Sequence, residues 1–481
     1  MILEQYYIEC LSHASYLIGD ESSGRAVVVD PRRDITDYLD DARRYGLAIE
    51  GVINTHFHAD FVSGHLELLS ATGAWIGFGT AADTDYPIRR FAHGEHVSLG
   101  EVDLEVLSTP GHTWESISLV VRETPAASPA AVLTGDSLFI GDVGRPDLVN
   151  LGSGSSADLA RAMYRTIHQT LLALPDSVVV LPAHGAGSSC GKNLSAELSS
   201  TIGEQRRSNP SVQPMTVDAF VALITDGQPA VPEYFHVDAA LNKSNRPLLE
   251  PGRVIPAMSA AHLRAELAAG TRVLDTRTPD DFAAAHLRGS VNVGFDGRFA
   301  ETSGMVAGIG ERIVLVSYPG EEQTAALRMS RIGSDEAVGY LGVDRDGVFP
   351  AELRDLVQVA HRTTVEELRG LLADGKVTLV DVRNPGEREF GVIPAAMSIP
   401  LAQLRSRAGE LPADSPIVVH CAGGWRSSVA ASLLRSLGVA PVSDLVGGYN
   451  AWAEATVQPA VCRVAGRRGP LPGTMIGPIR G

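Results

Sequence analysis

Four short apolar runs in the first half of the chain each lead into a side chain able to bind a metal, which restricts the fold to one that gathers several strand ends along one rim. Residues 51–53, Gly-Val-Ile, run into THFHADFVSGH at 55–65, which holds His56, His58, Asp60 and His65. Residues 104–107 precede STPGHT, where Pro110 and Gly111 mark a turn that presents His112. Residues 131–134 lead into Gly135-Asp136, and residues 177–181 into Pro182-Ala183-His184-Gly185. Imidazole and carboxylate together suit a borderline or moderately hard cation. Loop histidines satisfied by ordinary hydrogen bonds are the competing reading, and the density of the cluster argues against it. Between the last two runs, Leu159, Met163, Ile167, Leu171 and Leu174 recur at helical spacing and predict a core-facing helix.

At 481 residues the chain exceeds what one core fills, so about two to four domains are expected. A formal net charge of −17 argues against nucleic acid or an anionic membrane as the main partner. The opening MILEQYYIEC lacks the basic segment and apolar core of a signal peptide, and no long apolar run follows, so a cytoplasmic protein is expected. Cys10, Cys190, Cys421 and Cys462 are too few and too far apart for a disulfide scaffold, and each is weighed as a free thiol.

The order THxHxD, TPGHT, GD and PAHG resembles the metallo-β-lactamase superfamily, which implies an αββα sandwich. Most hydrolases of that superfamily hold two metals and place a histidine directly after the aspartate of THxHxDH; here that position is Phe61. Loss of the imidazole favours a single metal, with His56, His112 and Asp136 as the 2-His-1-carboxylate face of a non-haem Fe(II) oxygenase. The strings HADFVSGH, GDSLFIGDVGRPDL and PAHGAGSSCGK are similar to the persulfide dioxygenase branch, which oxidises the outer sulfur of a thiol persulfide to sulfite with iron and O₂. By position, that resemblance puts one mononuclear Fe(II) on His56, His112 and Asp136. It leaves His58, Asp60 and His184 to organise water and hydrogen bonds around the metal. His65 fits the same string but serves equally as a capping or packing residue. Arg145 of GRPD is either a substrate contact or the ion-pair partner of Asp147. Cys190, flanked by small residues and close to Lys192, is a candidate catalytic thiol that accepts or presents sulfur near the metal; a small buried thiol is the alternative. Cys10 and Cys462 lack such neighbours and are given no role.

From about Met258 the chain repeats itself. LDTRTP at 274–279 matches VDVRNP at 380–385, and IVLVS at 313–317 matches IVVHC at 417–421. Each copy resembles a rhodanese domain, an α/β fold with a parallel sheet and an active loop between a strand and a helix. In the second copy Cys421 is followed by Ala422, Gly423, Gly424, Trp425 and Arg426, then by an apolar helical stretch. The glycines let backbone N–H groups turn inward, and the helix dipole with Arg426 completes an anion cradle for a thiolate and then a cysteine persulfide. A buried structural cysteine and a Cys-x5-Arg phosphatase are the rivals; only four residues separate Cys421 from Arg426, a smaller loop that suits sulfur better than phosphate. The first copy has Ser317 in the cysteine's place and Glu321 and Glu322 nearby, which would repel anionic sulfur, so it reads as a docking scaffold. Asp275 with Arg277, and Asp381 with Arg383, are expected to tie strand ends to the following turns.

The whole chain is similar to the fused persulfide dioxygenase–rhodanese sulfurtransferases. It reads as an α/β multidomain protein: a metallo-β-lactamase αββα sandwich at 1–250, a degenerate rhodanese-like domain at 257–360, a catalytic rhodanese domain at 362–465 and a tail at 466–481. Residues 239–256 read as an extended connector. Thr364 is expected to cap a helix containing Leu368, Leu371 and Leu372, and the tail to lie along another domain or stay mobile. The resemblance implies oxidation of a low-molecular-weight persulfide to sulfite, coupled to sulfur transfer through a Cys421 persulfide that makes or consumes thiosulfate, with sulfide detoxification as the outcome, in a homo-oligomer. A thioester hydrolase of glyoxalase II type fused to a sulfurtransferase is the alternative, and it calls for the second metal that Phe61 argues against.

Overall fold

A computed structural model describes residues 1–148, 155–250, 252–413 and 415–457; Cys462 and the tail from Gly466 lie outside the described residues. Two six-stranded sheets make the first unit. One runs Ile2–Ile8, His13–Asp20, Arg25–Val29, Ala48–Ile53, Trp75–Gly79, Arg89–Phe91, and the other Ser200–Thr201, Val179–Pro182, Ala131–Gly135, Ile117–Arg122, Asp103–Ser108, His96–Ser98. Ile18, Val27, Val29, Leu104, Leu119 and Leu133 fill the space between them. Helices Thr36–Arg44 and His65–Thr72 cover the outer face of the first sheet over Leu17, Val28 and Val52. Helices Ser156–Arg165, Ile202–Ser208 and Val217–Thr225 cover the second over Val120, Val132 and Val180. Central strands buried on both faces explain why residues 26–29 read as an unbroken apolar run rather than an alternating one. The result is the expected αββα layering.

The helical spacing through 157–174 is realised as helix Ser156–Arg165, a wider turn at Thr166–Thr170 and a tight turn at Leu171–Ala173, with Leu159, Met163, Ile167 and Leu171 buried. Ser155 starts it with a capping box to Asp158.

The two repeats form parallel sheets. The first has the order Val291–Asn292, Arg272–Asp275, Ile313–Ser317, Ala337–Gly342, and the second Arg362–Thr363, Val442–Leu445, Ile417–His420, Thr378–Asp381, Met397–Ser398. The duplication extends to register, since Asp275 pairs with Asn292 as Asp381 pairs with Ser398. The buried Asp275–Arg277 and Asp381–Arg383 ion pairs tie strand end to turn as the sequence suggests. Thr364 caps helix Val365–Ala373 through a capping box with Glu367.

One apolar cluster crosses both repeats, from Leu274, Val291 and Leu315 to Val380, Val419 and Leu433. The first unit docks on the second through Phe61, Tyr234, Phe235, Ala300 and Ile332, and through Val62, whose N–H donates to the Arg331 carbonyl at 2.7 Å. The connector departs from expectation. Helix Phe235–Leu241 runs into it, and Asn242 and Arg246 are buried, the latter on Glu67 at 2.7 and 2.8 Å. Its Asn and Pro residues signalled turns, but turns that carry buried polar contacts look the same in sequence. Among the described residues no helix is long and apolar enough to cross a membrane.

Candidate functional site

The rim where the two sheets of the first unit meet gathers the strand-end side chains. His56, His112 and Asp136, all buried, converge: His56 Nε2 lies 3.8 Å and His112 Nε2 3.6 Å from Asp136 Oδ2. His56 Nε2 and Asp136 Oδ2 have no hydrogen-bond partner. Buried polar atoms are normally satisfied, and donors that face one another unpaired fit an ion between them. Separations of this size fit a cation bonded to each at about 2.0–2.2 Å. The other ring nitrogens fix the tautomers. His112 Nδ1 donates to the Arg145 carbonyl at 2.8 Å. His56 Nδ1 donates to Thr55 Oγ1 at 2.9 Å, whose hydroxyl donates in turn to Asp30 Oδ2 at 2.9 Å. Burial would raise the Asp136 carboxyl, but His184 and His56 outweigh it and hold it well below the usual carboxylate range.

His58 turns away from this group, with Nε2 on Asp30 Oδ1 at 2.9 Å. His184 bridges two carboxylates, Nδ1 to Asp136 Oδ1 and Nε2 to Asp60 Oδ2, both at 2.8 Å. Burial opposes its charged form, yet Asp136 and Asp60 push it well above the ordinary histidine value. Phe61 sits fully buried with its ring 4.0 Å from that of His13 and 4.3 Å from that of His58. His65 packs on Tyr86 at 5.1 Å, which is the packing role.

In the third unit the loop after strand Ile417–His420 wraps the Cys421 thiol. Gly424 N–H donates to Sγ at 3.1 Å, and Ser427 Oγ lies 3.7 Å away. Gly424 has φ +96°, a left-handed conformation that favours glycine. Tyr449 and Asn450 N–H groups hold the Cys421 and Ala422 carbonyls at 2.7 and 3.0 Å, and a side chain at Gly423 would meet open space. Trp425 opens helix Trp425–Ser436.

The rhodanese-like domain family model matches residues 259–343 and 364–455. Persulfide dioxygenase ETHE1, mitochondrial, of Homo sapiens is 27% identical over 252 residues, covering 51% of this chain and 88% of that protein. A beta-lactamase hydrolase-like protein of Agrobacterium fabrum is 29% identical over 240 residues, covering 43% of this chain and 52% of that protein. The match thus spans about half the length of that relative. A metallo-beta-lactamase from Staphylococcus aureus aligns with a TM-score of 0.64 at 32% identity, covering 70% of this chain and 98% of that one. The chain belongs to the metallo-β-lactamase family through its first unit and fuses that fold to two rhodanese-like domains, with persulfide dioxygenases among the proteins it is similar to.

Three expectations for this fusion need correction. Cys190 is buried, not accessible, and burial, then Asp60 and Asp136, push its thiol well above the ordinary value. Lys192 does not favour a Cys190 thiolate, because its Nζ donates to the Leu223 and Asp226 carbonyls at 2.7 and 3.0 Å. Cys190 instead joins Asp60 and His184 in a second buried group able to hold an ion. Arg145 is no surface contact for substrate: it is buried, chelates Asp147 at 2.7 and 2.8 Å and donates to the Ser189 carbonyl at 3.0 Å. The guanidinium of Arg426, expected to line the cradle, is held by Glu387 at 2.7 and 2.6 Å, so the thiol's donor is the Gly424 amide.

The first repeat of the fusion shows why its loop is degenerate. Gly320, at the position of Gly424, has φ +94°, but its N–H donates to Glu322 Oε2 at 2.7 Å. The anion that this cradle holds is the loop's own carboxylate. Sequence reasoning missed Asp30 and His13. Asp30 ends the AVVVD strand, the signal used for the other strand ends, and receives Thr55 N–H at 2.7 Å besides His58. His13 is buried with neither ring nitrogen partnered, and pairs by an isolated bridge with His184. A cavity of about 760 Å³ lies where the three units meet, lined by Ser189, Lys192, Arg298, Glu301, Trp425 and Arg426 among others.

Proposed function

We propose that the first unit oxidises the outer sulfur of a low-molecular-weight thiol persulfide to sulfite at one iron held by His56, His112 and Asp136, and that Cys421 carries sulfane sulfur between sulfite and thiosulfate. The observation that carries this reading is the set of three converging donors, two of them unpaired, in a chain that has Phe61 where paired-metal hydrolases place a histidine. The overall change is RSSH + O₂ + H₂O → RSH + SO₃²⁻ + 2H⁺. Bound there, iron would supply one-electron chemistry and open positions for O₂ and a soft sulfur anion. The chain itself fixes both imidazole tautomers through Thr55 and the Arg145 carbonyl, and orients Asp136 through His184.

In the third unit, the Cys421 thiolate takes the outer sulfur of a second thiol persulfide and releases RSH; sulfite then attacks the outer sulfur of Cys421–S–S⁻, the S–S bond breaks, and thiosulfate leaves as Cys421 regains its thiolate. The Gly424 amide is placed to stabilise negative charge on Sγ. The reverse step uses the same contacts. The cavity supports coupling, because its walls come from the loop after His184 and from the helix start after Cys421.

The test compares wild type with His112→Ala and Cys421→Ser for bound iron, O₂ uptake with glutathione persulfide, and products. We expect His112→Ala to lose iron and uptake, and Cys421→Ser to keep uptake but release sulfite without thiosulfate. An iron-free wild type with no uptake would contradict the oxygenase; unchanged thiosulfate in Cys421→Ser would contradict the relay. A thioester hydrolase is the second reading, and the Asp60–His184–Cys190 group is what favours it. Its signature is two metals per chain and thioester cleavage without O₂.

A further inference from the structure

We propose that the first rhodanese-like unit, which has no thiol in its own loop, positions the Cys421 loop of the second through Asn292; this rests on reading Cys421 as the sulfur carrier. Asn292 is fully buried and uses each of its polar side-chain atoms and its N–H. Within its own unit, Nδ2 donates to the Asp275 and Arg277 carbonyls at 3.0 and 2.9 Å, the strand end locked by the buried Asp275–Arg277 pair. Across the boundary, its N–H donates to Ser432 Oγ at 2.9 Å, and its Oδ1 accepts from Ser428 Oγ at 2.7 Å. Ser428 and Ser432 lie one turn apart on the same face of helix Trp425–Ser436.

That helix begins directly after Gly424, whose amide touches the Cys421 sulfur. Two residues beyond Asn292, Gly294 has no side chain where one would meet the Trp425 indole: a Cβ there would lie 2.7 Å from Nε1. The first rhodanese-like unit therefore fixes both the rotation of the helix, through the two serines, and the seat of its first residue, through Gly294. Buried, fully satisfied hydrogen bonds are the contacts that lock a geometry. The duplication supplies a comparison. Ser398 holds the register position of Asn292 in the second repeat, and it is exposed. The asymmetry places the asparagine only in the copy that has a neighbour's active helix to hold.

The test uses the full chain carrying Asn292→Ala or Ser428→Ala, with transfer of sulfur from thiosulfate to cyanide and the pH dependence of Cys421 alkylation as readouts. We expect kcat to fall about tenfold in each with KM little changed, since misplacing a reacting group by a fraction of an ångström costs rate rather than binding. The alkylation profile should move to higher pH, O₂ uptake by the first unit should stay at the wild-type level, and the double variant should lose little more than either single one. Unchanged kcat and alkylation profile in both variants would overturn the inference and leave Cys421 as the carrier. Parallel loss of transfer and O₂ uptake with a lowered unfolding midpoint would also overturn it, as general destabilisation. No Cys421-dependent transfer in wild type would overturn the underlying reading as well.

Discussion

Gly320 and Gly424 adopt nearly the same left-handed backbone, φ +94° and +96°, and aim the same amide inward, one at a carboxylate and the other at a thiol. Gly424→Ala forces an L side chain into that conformation at a cost of about 1–2 kcal/mol. It should lower the unfolding midpoint and slow sulfur transfer, while O₂ uptake persists; transfer at the wild-type rate would show that the amide contact is dispensable. Asp30 offers a second test, because Thr55 and His58 both hang on its carboxylate. Asp30→Ala should weaken iron retention by roughly 10–100-fold, measured as iron remaining after graded chelation. His56, His112 and Asp136 were legible because each stands at the end of its own apolar run. His13 was not, since it reaches the site through a bridge to His184 that no spacing encodes. Arg145 offered two readings in sequence, and only its burial on Asp147 decides between them.

Elements were legible wherever a local signal fixes them. Thr364 and Glu367 form the capping box that their spacing suggests, and Thr364→Ala should cost helix Val365–Ala373 about 1 kcal/mol, read as a lower denaturation midpoint. The connector was not legible, because Asn242 contacts the carbonyls of His58 and Phe61, residues far away in sequence. Strand His286–Leu287 makes stability depend on pH. Burial pushes the His286 imidazole down to about 4, with Nδ1 donating to the Phe282 carbonyl and Nε2 accepting from Gln358. Below its unfolded value near 6.5 the unfolded chain takes up a proton that the folded chain refuses, so stability falls as pH drops from about 6.5 to about 4, by on the order of 3 kcal/mol at most. His286→Gln should flatten the unfolding midpoint across that window, and an unchanged slope would contradict it.

At the scale of the whole molecule, the loop that carries His56 leans on the first rhodanese-like unit, where the Val62 N–H donates to the Arg331 carbonyl. Arg33 is buried in that contact, donating to Glu67 at 3.2 Å, to the Ser330 carbonyl at 2.9 Å and to Asp335 at 2.9 and 3.0 Å. Arg33→Ala should cost roughly 3 kcal/mol, seen as a lower unfolding midpoint and earlier proteolysis between the units. The order of three units was legible from the motifs and the repeat. Their mutual packing was not, because Arg33, Asn292 and Glu301 read as ordinary polar residues until a partner unit buries them. One iron doing oxygen chemistry on a sulfur anion is tested by iron per chain together with O₂ consumed per sulfite formed in Cys421→Ser, where sulfite is not drawn off. About one iron per chain and one O₂ per sulfite is the expected result. Two metals per chain, or turnover without O₂ uptake, would contradict it.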